Sequence, residues 1–143
     1  MIAYAETSAV LSWLLGEPGS AAALKILAGS SDVLASALTL VECRRVLRRA
    51  VASGRLDEAE GERRRARLAA AADHWTVAEI TDEVLRRAEG PFPIEPIRTL
   101  DALHLAAAVE LRLDIGPLSM VSLDERVRAN AAALGFEVLP SQG

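Results

Sequence analysis

The spacing of apolar positions changes repeatedly along the chain, and each change marks a new element. Met1 to Ala5 is a short apolar run that ends at Glu6 and predicts a strand. From Thr7 to Leu15 the spacing becomes helical, with Leu11, Leu14 and Leu15 on one side and Gly16 as the stop. Pro18 suits the first turn of a second helix, which runs through Leu24, Ile26 and Leu27 to Gly29. Val33-Leu34-Ala35-Ser36-Ala37 predicts a buried strand. Thr39 and Glu42 stand at capping-box spacing, so a helix is expected from Thr39 to Ser53, closed by Gly54. Asp57-Glu58-Ala59-Glu60 opens another helix, reaching Asp73, and the two helices should form a hairpin. Trp75 to Ile80 alternates as a strand does, and Thr81 caps a short helix to Glu89. Three prolines between Gly90 and Pro96 remove donors and fix the backbone, which predicts a loop. That loop feeds a strongly apolar helix from Thr99 to Leu113. Pro117 to Ser122 predicts a strand, Asp124 to Leu134 a helix stopped by Gly135, and Phe136 to Leu139 a last short strand.

Strands alternating with helices imply an α/β fold, with a parallel sheet of four to five strands between layers of helices. The 143 residues hold no internal repeat, low-complexity tract or linker, so one domain spanning 1–143 is expected. Hydrophobic residues make up 51% of the chain, enough to build a core rather than remain disordered, and with only 3% aromatics that core must be aliphatic. Cys43 is the only cysteine, which excludes an internal disulfide and favours a reducing compartment; its expected role is a small buried apolar residue. No run reaches the ~18 apolar residues of a membrane span. The N-terminus lacks the basic start of a signal peptide, and a cytoplasmic location is the expectation.

The net charge of −4 argues against holding nucleic acid by bulk charge. It hides a dense arginine segment: Arg44, Arg45, Arg48, Arg49, Arg55, Arg63, Arg64, Arg65 and Arg67. This segment has three readings: a solvated helical face beside Glu58, Glu60 and Glu62, a track for phosphates, or a dock for an acidic partner segment. Charge runs are usually solvated, so the first is expected.

Four acids occupy junctions between elements. Glu6 follows the first strand, Glu42 lies in the helix turn after the second, and Asp124 follows the fourth. Asp101 sits in the first turn of the helix that the proline-rich loop delivers. Open α/β sheets place their sites beyond the carboxyl ends of the strands, so all four can meet there. Each acid also has a plain structural account. Glu42 would complete a capping box, Asp124 fits one with Ser122 and Glu125, Asp101 would face the helix dipole, and Glu6 would be solvated at a strand end. Those accounts leave unexplained why four acids share one edge. Clustered carboxylates repel unless a cation neutralises them, and oxygen-only ligands favour Mg²⁺ or Mn²⁺. Such ions activate water toward a phosphodiester.

Tyr4-Ala5-Glu6-Thr7-Ser8-Ala9-Val10, Glu42 after Leu40-Val41, Arg98-Thr99-Leu100-Asp101-Ala102-Leu103-His104-Leu105-Ala106 and Val121-Ser122-Leu123-Asp124-Glu125-Arg126 together resemble the successive acidic motifs of PIN-domain ribonucleases. The likeness is greatest to the VapC-like toxin branch of type II toxin–antitoxin pairs. It covers nearly the whole chain, and the Asp101 motif is its most specific part. The resemblance implies a three-layer PIN-like fold and endonucleolytic hydrolysis of RNA by a metal-activated water. It further implies that Glu6, Glu42, Asp101 and Asp124 are catalytic and hold Mg²⁺ or Mn²⁺, with the Thr7 and Ser122 hydroxyls behind them. A cognate antitoxin and a homodimer are implied as partners, with the apolar early helices available for the dimer. Arg98 and Arg126, beside acidic motifs, are the candidates for contacts to substrate phosphates. The family usually carries Asp where this chain has Glu6, whose added methylene displaces the carboxylate. The alternative is therefore a catalytically weak or silent PIN-fold binding scaffold.

His104 has two readings, a proton carrier or ligand, or a buried histidine bonded to backbone; core-like neighbours favour the second. His74 is expected at the surface, and Trp13 and Trp75 in the core or an interface rather than stacked on bases. A phosphoacceptor signalling domain would need a lysine near a late strand, and Lys25, the only lysine, lies in an early helix.

Overall fold

The computed structural model describes residues 1–142. In chain order the elements are β1 (Ile2–Ala5), α1 (Thr7–Leu15), α2 (Ser20–Gly29), β2 (Asp32–Ser36), α3 (Ala37–Ala52), α4 (Glu58–Ala72), β3 (Thr76–Ala78), α5 (Asp82–Ala88), α6 (Thr99–Ile115), β4 (Ser119–Val121), α7 (Glu125–Ala133) and β5 (Glu137–Leu139). The five strands form one parallel sheet in the order β3-β2-β1-β4-β5. This is the α/β architecture expected, with the sheet at the upper end of the expected strand number.

Side chains alternate across a strand, so each strand feeds two cores. Tyr4, Leu34 and Met120 point into one, where α5, α6 and α7 supply Val84, Leu105, Ala106, Val127 and Ala131. Ala3, Ala5, Val33 and Val121 point into the other, against Val10, Leu14, Leu27, Cys43, Leu47 and Leu68 from α1 to α4. In the early helices, Leu14 and Leu27 belong to this core, Leu11, Trp13, Leu15 and Ile26 are half-buried against it, and Leu24 is exposed. Trp75 also packs there, and His74 is at the surface.

Caps decide several boundaries. Thr81 and Asp57 cap α5 and α4, as their positions predict. The expected capping box of Thr39 and Glu42 does not form. Ser36, where β2 ends, takes the cap and accepts from the Leu38 amide at 3.1 Å. The helix therefore starts earlier, Thr39 lies inside it, and its hydroxyl donates to the Ala5 carbonyl. Glu42 is released from capping. Asp124 does not act through a capping box with Ser122 and Glu125 either. It is itself the cap of α7, accepting from the amides of Arg126 and Val127 at 2.9 and 3.2 Å. Pro18 lies ahead of α2 rather than in its first turn, because Gly19, at φ +87°, occupies the cap.

The proline-rich loop is irregular, as expected, but firmly tied. The Asn130 side chain accepts from the Ile94 amide at 2.9 Å and donates to its carbonyl at 3.0 Å. Phe92 is buried, and its amide donates to Glu95. These contacts fix where the chain re-enters at Arg98 and α6. Buried Arg128 ties the other flank, donating to the carbonyls of Ser122 and Pro140. Among the described residues no helix is long and apolar enough to cross a membrane.

Candidate active site at the carboxyl edge of the sheet

Strand order reverses between β1 and β4. The chain leaves β1 toward β2 and β3, then returns to pair β4 with the other side of β1. Such a reversal opens a crevice beyond the carboxyl ends of the two strands. Glu6 follows β1 and Asp124 follows β4 closely, so both stand at that crevice.

Glu6 is the cap of α1, and its residue is only 4% exposed. Its Oε2 accepts from the Ser8 amide at 2.7 Å, the Ser8 hydroxyl at 2.5 Å and the Ser122 hydroxyl at 3.2 Å. The Ser8 hydroxyl also accepts from the Leu123 amide at 2.8 Å, and Ser122 accepts from the Asp124 amide at 3.1 Å. Two serines thus lock the end of β1 to the end of β4. Burial pushes the Glu6 carboxyl above its ordinary value, more strongly than Ser8, His104 and Ser122 pull it down.

Glu42 belongs to a second group. Its Oε1 accepts from the Thr7 hydroxyl at 2.9 Å and lies 2.5 Å from His104 Nε2. That nitrogen is also 3.0 Å from Thr7 Oγ1, and Nδ1 is 2.9 Å from the Tyr4 hydroxyl. One tautomer satisfies all of these, with Nε2–H donating to Glu42 and Nδ1 accepting from Tyr4. The phenol has its proton to give, because burial, with Glu6 and Glu42 nearby, pushes the Tyr4 pKa up. Desolvation works against charge on Glu42, but the hydrogen bond from His104, electrostatic attraction to that ring and the Thr7 hydrogen bond together hold its carboxyl below the ordinary value. Burial, together with Glu42 and Glu6, pushes the Cys43 thiol up to about 12, which keeps it the inert buried residue expected.

Asp101 and Asp124 share one guanidinium. Arg98 Nε is 3.3 Å from Asp101 Oδ2, and its Nη2 is 3.6 Å from Asp124 Oδ2. Asp101 is nearly buried, whereas the Arg98 side chain is 64% exposed. Arg98 and Arg126 line one cleft of about 500 Å³ between the proline-rich loop and α7, with Ile94, Pro96 and Asn130.

The acids are therefore held in place by serines, by the histidine network and by an arginine. Among the described residues, no three or more His, Cys, Asp or Glu side chains are grouped so as to hold a metal ion. The residues implied for Mg²⁺ or Mn²⁺ do not, as arranged, make a fitting ligand set. His104 is buried as expected, but its partners are side chains rather than backbone. Reasoning from sequence missed Ser8 and Tyr4. The available signal was a hydroxyl two residues beyond the acid that caps α1.

The arginine segment divides between uses. Arg63 and Arg65 pair with Glu60 and Glu62, Arg64 donates to the Leu14 carbonyl, and Arg67 lies over the Trp13 ring at 5.5 Å. Arg45, Arg48, Arg49 and Arg65 line a groove of about 670 Å³ between α3 and α4.

The sheet is that of a PIN-type domain, and the family model described as "PIN domain" matches residues 3–134. The chain belongs to the PIN-domain family. It is similar to Ribonuclease VapC46 of Mycobacterium tuberculosis, at 35% identity over 136 residues, covering 95% of each chain. Two solved structures share the fold. A toxin–antitoxin complex from Klebsiella pneumoniae gives a TM-score of 0.66 at 18% identity, covering 99% of both chains. Mycobacterium tuberculosis VapC20, described as a sarcin-ricin loop cleaving toxin, gives 0.65 at 21% identity, covering 95% of this chain and 96% of that one.

Proposed function

We propose that this chain is the PIN-domain partner of a toxin–antitoxin pair and acts chiefly by binding, with weak or silent hydrolysis of RNA. The observation behind this reading is that each of Glu6, Glu42, Asp101 and Asp124 is engaged by the protein's own donors or cation. A divalent cation entering the crevice meets Arg98 beside Asp101 and Asp124 and finds one oxygen of Glu6 and one of Glu42 already taken, whereas hard cations need several oxygens at once. RNA is the ligand proposed for the cleft of Arg98 and Arg126, where guanidinium groups suit phosphate oxygens. An antitoxin is the proposed protein partner, by analogy with the toxin–antitoxin complex from Klebsiella pneumoniae.

A second reading is a Mg²⁺- or Mn²⁺-dependent endoribonuclease in which the four acids hold the ion. It is favoured by the relative at 35% identity, whose name is that of a ribonuclease. A cleavage assay on structured RNA separates the two. With Mg²⁺ or Mn²⁺ the purified chain is expected to bind RNA and to cut it little faster than in EDTA. Rapid cutting abolished by EDTA would overturn the first reading in favour of the second.

A further inference from the structure

We propose that Arg98 is the resident cation of the acidic crevice, and that it leaves this place when a phosphodiester enters the cleft it shares with Arg126. The inference rests on the reading of the crevice as a weak cation site. Two different nitrogens of Arg98 face two carboxylates from different helices, Asp101 on α6 and Asp124 capping α7. A planar guanidinium meets the two acids with separate nitrogens, whereas an ammonium would have to serve both from a single atom. Asp101 and Asp124 carry like charges, and the guanidinium they share offsets their repulsion.

The same geometry makes the bridge easy to undo. Both distances are long for an ion pair, at 3.3 and 3.6 Å, and the arginine side chain is mostly in solvent. Arg98 caps α6 in extended conformation, at φ −79° and ψ 153°, with no side-chain bond to the helix. Its backbone is fixed by the tied loop while its side chain is free to swing. On its other side lies the cleft with Arg126, and phosphate oxygens suit a guanidinium better than one oxygen from each of two separate carboxylates. A phosphate that draws Arg98 into the cleft leaves Asp101 and Asp124 without a counter-charge, so a divalent ion binds better. By reciprocity the ion strengthens phosphate binding by the same factor.

The test measures Mn²⁺ binding to the EDTA-stripped chain by the electron paramagnetic resonance signal of free Mn²⁺, for the native protein and Arg98→Gln. Arg98→Gln is expected to bind Mn²⁺ on the order of two- to fivefold more tightly, the range of an exposed ion pair. A phosphorothioate RNA oligonucleotide, which resists cleavage, is expected to tighten Mn²⁺ binding to the native chain but not to Arg98→Gln; ion uptake by the oligonucleotide itself is common to both. Arg98→Lys, which keeps the charge but not the fork, should fall between them and guards against a folding defect in the glutamine variant. Equal Mn²⁺ affinities for the three proteins would overturn the proposal while leaving the weak-site reading intact. Tight binding by the native chain alone would instead remove the weak-site reading.

Discussion

Replacing His104 with leucine is expected to lower the free energy of unfolding by about 3 kcal/mol, through the loss of a buried polar network rather than of volume. The imidazole is the one group that touches Tyr4, Thr7 and Glu42 together. Leucine fills similar space but offers no polar atom. It takes the imidazole partner from the Tyr4 hydroxyl on a fully buried residue, leaving Ser36 beside it, and removes the donor that holds Glu42. Each stranded buried group costs about 1–3 kcal/mol. Tyr4→Phe should cost clearly less, about 1 kcal/mol, since only one bond is deleted and the rest of the network survives. Denaturant unfolding of both single variants and the double variant checks this. The account expects the double variant to lose much less than the sum of the singles. Strict additivity, or an unchanged midpoint for His104→Leu, would show that the network contributes no stability.

Glu6→Gln is expected to raise stability at neutral pH, seen as a higher melting temperature. The reason is the sign of the Glu6 shift. Burial places its folded pKa above the ordinary value of 4.5, so the native state holds this proton more tightly than the unfolded chain does. The stability this confers is fully present below 4.5 and is lost as pH rises through the folded value. Glutamine does not ionise, yet its amide oxygen still accepts from Ser8 and Ser122. Melting curves of the two proteins in EDTA should therefore converge at acid pH and separate toward neutral pH, with the variant higher. Glu42 has the opposite sign. Its lowered pKa contributes stability above 4.5 that is lost as pH falls through the folded value, so Glu42→Gln should be less stable than the native chain at neutral pH. A Glu6→Gln protein that melts below the native one at neutral pH would contradict the burial argument.

The layering was legible because it rests on periodicity. The alternation at Ala3, Tyr4 and Ala5 and the helical spacing of Leu11, Leu14 and Leu15 are local signals that tertiary packing reinforced. The PIN-type arrangement was legible in the acidic motifs. The cap of α3 was not, because two hydroxyls, Ser36 and Thr39, compete for it, and only the end of β2 decides between them. Pro18 was misplaced for a related reason, since Gly19 can adopt the left-handed conformation this cap requires.

At the site, sequence spacing put the acids at the junctions between elements but could not say what each one touches. The Ser8 hydroxyl reaching Leu123 and the His104 ring reaching Tyr4 join residues about a hundred positions apart. The Arg98 bridge depends on how Asn130 ties the proline-rich loop to α7, which leaves no mark in local spacing.

The most direct measurement is calorimetric titration of Mn²⁺ into the purified, EDTA-stripped native chain without RNA. Carboxylates tied to serines, a histidine and an arginine predict weak binding with little gain in melting temperature. One ion taken up at micromolar concentration, with a large rise in melting temperature, would contradict the account.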